Sequence, residues 1–229
     1  MIEIWGRRNA SNVMPVMWAV GELGLAHVRH DVGGSFGGLD DPAYRALNPN
    51  GRIPTLVDGD LVVFESNAVV RALCRRYGAG SLLPDDEPAC ARADQWMEWH
   101  KTTLYPPYID LFWAIVRTEP THRDADTIAR LTQALQGPLQ ILEAQLAERP
   151  FVAGERLTMA DVPIGPALHR LLALEIERPT IPHIEAWYTR LCERPAFQEH
   201  VMFPYGRNPA EWYRYEREGA SQRGPAVQH

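Results

Sequence analysis

Two polar pairs stand where apolar-periodic helices begin, and a proline-bearing segment lies between them. Ser11-Asn12 precedes the helical pattern Val13, Val16, Met17, Val20, Leu23, and Glu65-Ser66 precedes Val69, Val70, Leu73, Cys74, Tyr77. A helix start offers unsatisfied N–H donors and partial positive charge, so it favours an anion. A sulfur nucleophile held near the Ser11 hydroxyl and the Asn12 amide would lose its proton more readily. The alternative reading is that Ser11 or Asn12 simply caps the helix. At the second entrance, the Glu65 carboxylate can hold an ammonium and Ser66 with its N–H can hold a carboxylate, which together match the amino-acid end of a peptide.

Between them runs Gly51-Arg52-Ile53-Pro54-Thr55-Leu56. Pro54 has no N–H and restricts Ile53. If the bond is cis, the turn presents the Ile53 N–H and C=O to an extended ligand, which can pair there as an added edge strand. Arg52 can neutralise a carboxylate at the far end of such a ligand, while Asn50 bonds either the ligand or the turn itself. Solvated charges and helix caps are the competing readings of these residues. No cysteine of the chain stands at the Ser11-Asn12 junction, so thiol chemistry there requires a sulfur brought by the ligand.

The 229 residues, 45% of them hydrophobic, suffice for one large or two small domains with a sizeable core. A net charge of -6 supplies no general field for nucleic acid. No apolar run approaches the roughly 18 residues of a membrane span, and no secretory leader is apparent, so a soluble cytoplasmic protein is expected. Cys74, Cys90 and Cys192 are odd in number and far apart, which argues against a disulfide scaffold. The eight histidines form no HExxH and no zinc-like Cys/His cluster, so no metal is expected. Gly33-Gly34-Ser35-Phe36-Gly37-Gly38 lacks the P-loop lysine and reads as a flexible loop.

The order of elements follows from periodicity. A strand at Ile2–Trp5, a helix ending near Gly24, a strand over His27–Val32, a short helix over Asp41–Leu47, a hairpin around Asp58-Gly59-Asp60 and a helix ending near Gly78 make a mixed sheet with helices packed on it. After Leu83-Pro84-Asp85-Asp86-Glu87-Pro88, long helical patterns take over at 89–116, 125–146, 161–174 and 181–191. Pro106-Pro107 should bend or interrupt the first of these, and the break could shape a pocket. Thr158-Met159-Ala160-Asp161 reads as a capping box with Asp in place of Glu. The segments are 1–82, 88–203 and a polar extension, 204–229, whose Trp212, Tyr213 and Tyr215 could cover a groove or dock the tail.

With these motifs in hand, the sequence resembles the glutathione transferase superfamily from Ile2 to about His200. The resemblance rests on Asn48-Pro49-Asn50-Gly51-Arg52-Ile53-Pro54-Thr55-Leu56, Glu65-Ser66-Asn67-Ala68, Gly154 to Asp161, and Arg190-Leu191 with Pro195-Ala196-Phe197. It implies a thioredoxin-like domain, a mixed four-stranded sheet with helices, followed by an all-helical one (α/β plus all-α). It further implies cis Pro54, main-chain glutathione contacts at Ile53, γ-glutamyl contacts at Glu65 and Ser66, and a homodimer. Ala10 stands where the serine-type pattern has its hydroxyl, and Asn12 is similar to the asparagine of bacterial Nu-type relatives. Asn12 and Ser11 are therefore the residues expected to bond the glutathione sulfur for attack on a small, apolar electrophile. Disulfide reduction and non-catalytic ligand binding are the alternatives. Trp99, Tyr105, Tyr108 and Trp113 are candidates for the acceptor pocket, with core packing equally open to each. Arg71 and Arg75, four apart, would share a polar face near a dimer interface or in solvent.

Overall fold

The computed structural model describes residues 1–218. Strands β1 (Ile2–Trp5), β2 (His27–His30), β3 (Thr55–Asp58) and β4 (Leu61–Phe64) form one mixed sheet in the order β2-β1-β3-β4. Strand β1 is parallel to β2, joined through helix α1 (Met14–Glu22), and antiparallel to β3. Helices α2 (Pro42–Leu47) and α3 (Ser66–Tyr77) complete this half. The second half is helical: α4 (Glu87–Trp99), α5 (Tyr105–Val116), α6 (Ala125–Ala147), α7 (Asp161–Leu172), α8 (Pro182–Cys192), α9 (Pro195–His200) and α10 (Pro209–Glu218). The α/β plus all-α architecture expected from the sequence is present.

Helix α1 explains why the two halves are joined so closely. Met14 through Val20 are all buried, because the helix packs against α3 in its own half and against α7 and α9 in the other. A helix apolar on every side belongs in a core rather than on a surface. Gly165 on α7 permits that packing, since a Cβ there would stand 2.8 Å from the Trp18 ring.

Several boundaries differ from expectation. Strand β2 stops at His30 rather than Val32, and α7 and α8 end within two residues of the expected positions. The break in the helix at 89–116 falls before the prolines: residues 100–104 widen into a π turn, and Pro106 and Pro107 sit in the first turn of α5. The first turn is where missing N–H groups cost least, and the widened turn absorbs the register change. The extension is docked, as its aromatics allowed: it contains α10, whose buried Trp212 and Glu216 fix it on the body of the protein, although the helix itself was not expected. Tyr213 is exposed and Tyr215 half-buried, and residues 219–229 of the extension lie outside the described residues.

Asp161 anchors α7. Its Oδ1 accepts from the Val152 N–H at 2.9 Å and the Trp187 Nε1–H at 3.0 Å, and its Oδ2 accepts from the Thr158 N–H at 3.0 Å. The Asp161 half of the expected box is formed and also ties in α8, while Thr158 Oγ1 accepts from the Ala160 N–H at 3.3 Å and the Asp161 N–H donates to the Thr158 carbonyl instead. Burial pushes the Asp161 carboxyl up to about 6, against the pull of these donors.

Candidate functional site

The strand register gathers the chemistry. In the antiparallel pairs Trp5 lies opposite Thr55 and Thr55 opposite Phe64, while β1 and β2 run together to Trp5 and His30. One edge of the sheet therefore carries four junctions: the loop leading to Ser11-Asn12, the loop 31–38, the Ile53-Pro54 entrance to β3, and Glu65-Ser66 at the exit from β4. Residues more than 40 positions apart in sequence become neighbours because the sheet has this order.

The Ile53-Pro54 peptide is cis, as the resemblance implied. The turn before it is held by residues that sequence reasoning passed over. Tyr44 Oη donates to the Arg52 carbonyl at 2.6 Å, Asn48 Nδ2 donates to the same carbonyl at 2.7 Å, and the Asn50 N–H donates to Asn48 Oδ1 at 3.1 Å. The punctuated Asn48-Pro49-Asn50-Gly51 was the available signal, and its buried member is Asn48. Gly51 has φ 58°, and a Cβ there would meet the Arg45 guanidinium at 2.4 Å, so this turn requires glycine. The side chains of Asn50 and Arg52 are exposed beside it.

Glu65 has φ 70°, a left-handed conformation unusual for a residue with a side chain. Held strain of this kind collects where a chain must aim a group. Here it lets Glu65 leave β4 and enter α3 with its carboxylate exposed, 3.5 Å from Lys101 Nζ, while Ser66 is buried at the first turn of the helix.

At the other entrance, neither Ser11 nor Asn12 caps α1. The N-cap position is Val13, with no side-chain cap bond. Ser11 Oγ instead shares a hydrogen bond with Tyr105 Oη at 2.8 Å, and Asn12 also lies beside that phenol. Burial raises the Tyr105 phenol, with Ser11 opposing, so it stays a donor at neutral pH. When Tyr105 donates to Ser11 Oγ, the Ser11 proton is released to bond an anion in front of it.

The proposed acceptor aromatics divide. Tyr105 and fully buried Tyr108 lie on the α5 face turned to this junction. Trp99 packs against Trp96 instead, with ring centroids 5.0 Å apart, and Trp113 is 51% exposed with Arg117 over its ring. Arg71 is not an available surface cation: it pairs with Asp94 at 2.6 Å and Glu98 at 2.5 Å on α4, while Arg75 is exposed. A cavity of about 770 Å³ lies between α5, α6, the end of α7 and the segment leading into α10. None of Ser11, Asn12, Ile53, Glu65 or Ser66 lines it. Among the described residues no cluster of metal-ligating side chains occurs, and no helix is long and apolar enough to cross a membrane.

Two family models match the chain: "Glutathione S-transferase, N-terminal domain" over residues 11–76 and "Glutathione S-transferase, C-terminal domain" over residues 104–195. Glutathione S-transferase GstB of Escherichia coli K12 is 34% identical over 206 residues, covering 89% of this chain and 99% of that protein. The chain belongs to the glutathione S-transferase family. Glutathione S-transferase 3 of Zea mays is 33% identical, with 87% of this chain and 93% of that one covered. Among solved structures, a theta class glutathione S-transferase from Xanthomonas axonopodis pv. citri, with glutathione bound, has TM-score 0.86 and 45% identity. That match covers 90% of this chain and 99% of the Xanthomonas chain.

Proposed function

We propose that this glutathione S-transferase uses the thiol of glutathione as nucleophile toward a small electrophilic, largely apolar substrate. The observation that carries this reading is the strand register that sets the Ile53 main chain between the Ser11-Asn12 and Glu65-Ser66 helix entrances. An extended tripeptide laid along that edge pairs its cysteinyl backbone with the Ile53 N–H and C=O. Its γ-glutamyl ammonium meets Glu65 and its α-carboxylate meets Ser66, and its glycyl carboxylate reaches Arg52 and Asn50. The sulfur then falls at Ser11 and Asn12.

Asn12 donates a side-chain hydrogen bond to the sulfur, and Ser11, held by Tyr105, supplies a second. Both favour thiolate over thiol, and the proton leaves to solvent. The thiolate forms the new C–S bond while the leaving group departs with the electron pair of the broken bond. No charged base is needed, because bonds aimed at the sulfur stabilise its ionised form before an acceptor arrives. Residues 1–82 hold glutathione in this reading and 88–203 supply the acceptor side through Tyr105, with buried Tyr108 packed behind it and 204–218 closing over both. A homodimer and a cytoplasmic location belong to the same proposal, following the family resemblance.

The test is calorimetric binding of glutathione together with turnover of a model aryl halide. The wild-type protein binds and turns over, whereas Asn12→Ala stays folded and loses thiolate formation and rate. An N12A protein with unchanged thiol pKa and rate refutes the role given to Asn12.

A further inference from the structure

The guanidinium of Arg170 on α7 is 1% exposed, and among the described residues no carboxylate lies within ion-pair distance of it. Its Nη2 donates to the main-chain carbonyl of Asn9, directly before the Ser11-Asn12 junction, and contacts Met14 Sδ at 3.0 Å. Aromatic faces surround the rest: its Cζ stands 4.9 Å from the Phe112 ring centroid, 5.4 Å from Trp212 and 5.8 Å from Tyr205. Aromatic faces attract a cation but do not neutralise it. Buried charges are ordinarily paired, because an unpaired one forfeits its hydration.

The neighbourhood deepens the imbalance. Arg7, from the loop before Asn9, pairs with the buried Glu216 of α10 through Nε and Oε1 at 2.6 Å, and Glu216 also accepts from the Ser35 N–H at 2.9 Å. Arg7 feels the positive charge of both Arg170 and Arg117. Of these three arginines only Arg7 pairs with Glu216. Four further titratable groups among the described residues feel the Arg170 charge and are neutral: Tyr105 and Tyr108 on α5 and Tyr205 before α10 are raised by burial, and His169 on α7 is pushed down to about 4 by burial. Close by, the Asn9 side chain is 2% exposed with neither its Nδ2 nor its Oδ1 bonded, and the Nε of Arg170 is buried without a partner, while the Tyr108 hydroxyl faces the guanidinium.

We propose that Arg170 is a positioning residue for thiol activation, a buried cation whose missing counter-charge is the sulfur anion of bound glutathione. It acts in two ways: it holds the Asn9 carbonyl and so the approach to Ser11-Asn12, and its field favours thiolate over thiol. This rests on the glutathione reading above.

The experiment measures the pKa of the bound glutathione thiol, from thiolate absorbance against pH, in three proteins. Arg170→Met removes one positive charge, and the bound thiol pKa rises by about one unit, roughly tenfold less thiolate at a fixed pH below it. Glu216→Gln removes the cluster's carboxylate while keeping an acceptor for the Ser35 N–H, and the thiol pKa falls. A purely structural role moves both variants upward, because each loosens the same site. A value for R170M equal to wild type, or a value for E216Q at or above wild type, overturns the proposal. If R170M does not fold, the sign of the E216Q shift decides alone. Wild-type protein that fails to bind glutathione refutes the glutathione reading instead, and calorimetry on that protein separates the two failures.

Discussion

Replacing Asp161 probes how the helical half holds its side of the site. In Asp161→Ala, three buried donors lose their acceptor together: the Val152 N–H, the Thr158 N–H and the Trp187 Nε1–H. Each buried donor left unsatisfied costs about 1–3 kcal/mol, and partial relaxation brings the sum to about 3–5 kcal/mol. That is a large part of the roughly 5–15 kcal/mol by which a domain is stable. Asp161→Asn is the discriminating partner. Its amide oxygen can keep Val152 and Trp187 as donors, but its NH2 then faces the Thr158 N–H, so one bond is lost and the cost falls to about 1–2 kcal/mol. Urea titration followed by circular dichroism measures both, and equal m-values make the midpoint shifts comparable. An Ala variant within about 0.5 kcal/mol of wild type, or an Asn variant worse than Ala, refutes the assignment of three donors to this carboxylate.

Other expectations follow from the same geometry. Burial drives the His100 imidazole down to about 3 and that of His169 down to about 4, below the ordinary 6.5. The unfolded chain therefore takes up protons that the folded one refuses as pH falls below about 6.5, and stability drops by up to about 1.4 kcal/mol per pH unit for each histidine. His100→Gln flattens that slope in denaturation measured from pH 7 to 4, and an unchanged slope contradicts the burial argument. Tyr105→Phe removes the partner of Ser11 at a cost of about 1 kcal/mol and raises the apparent pKa of the pH–rate profile, whereas an unchanged profile shows that the Ser11–Tyr105 bond does not serve the thiol. Trp212→Ala empties the seat between Phe112 and Arg170, costs about 3 kcal/mol and makes α10 sensitive to limited proteolysis; equal resistance to cleavage contradicts docking through this indole.

Much of the sheet half was legible because its signals are local. Asp58-Gly59-Asp60 marks the hairpin, period-3.6 apolar residues mark α1 and α3, and Pro54 and Glu65-Ser66 mark their own junctions. The partners that complete the site are not local. Tyr105 reaches Ser11 across 94 positions and Arg170 reaches Asn9 across 161, and neither pairing leaves a periodic trace in the chain. Arg170 occupies a helix position that sequence alone assigns to solvent as readily as to the interior, since only the aromatic rings brought over it by folding make burial tolerable. Asn48 and Tyr44 were missed for a related reason: the residues that hold a binding turn look like turn and helix residues until the bonds to the Arg52 carbonyl are seen. In the tail the aromatic Trp212 signalled docking, but the helix α10 was not legible, because only Trp212 and Glu216 of it are buried and two residues make no periodic pattern.

One tripeptide is expected to span the two helix entrances with its sulfur at Ser11 and Asn12. A crystal structure of the protein with glutathione is the decisive measurement. The expected complex has the cysteinyl backbone paired with Ile53, the γ-glutamyl group on Glu65 and Ser66, and the sulfur within hydrogen-bond reach of the Asn12 or Ser11 side chain. Glutathione bound in the cavity between α5, α6 and the tail, or with its sulfur turned away from Asn12 and Ser11, would contradict it.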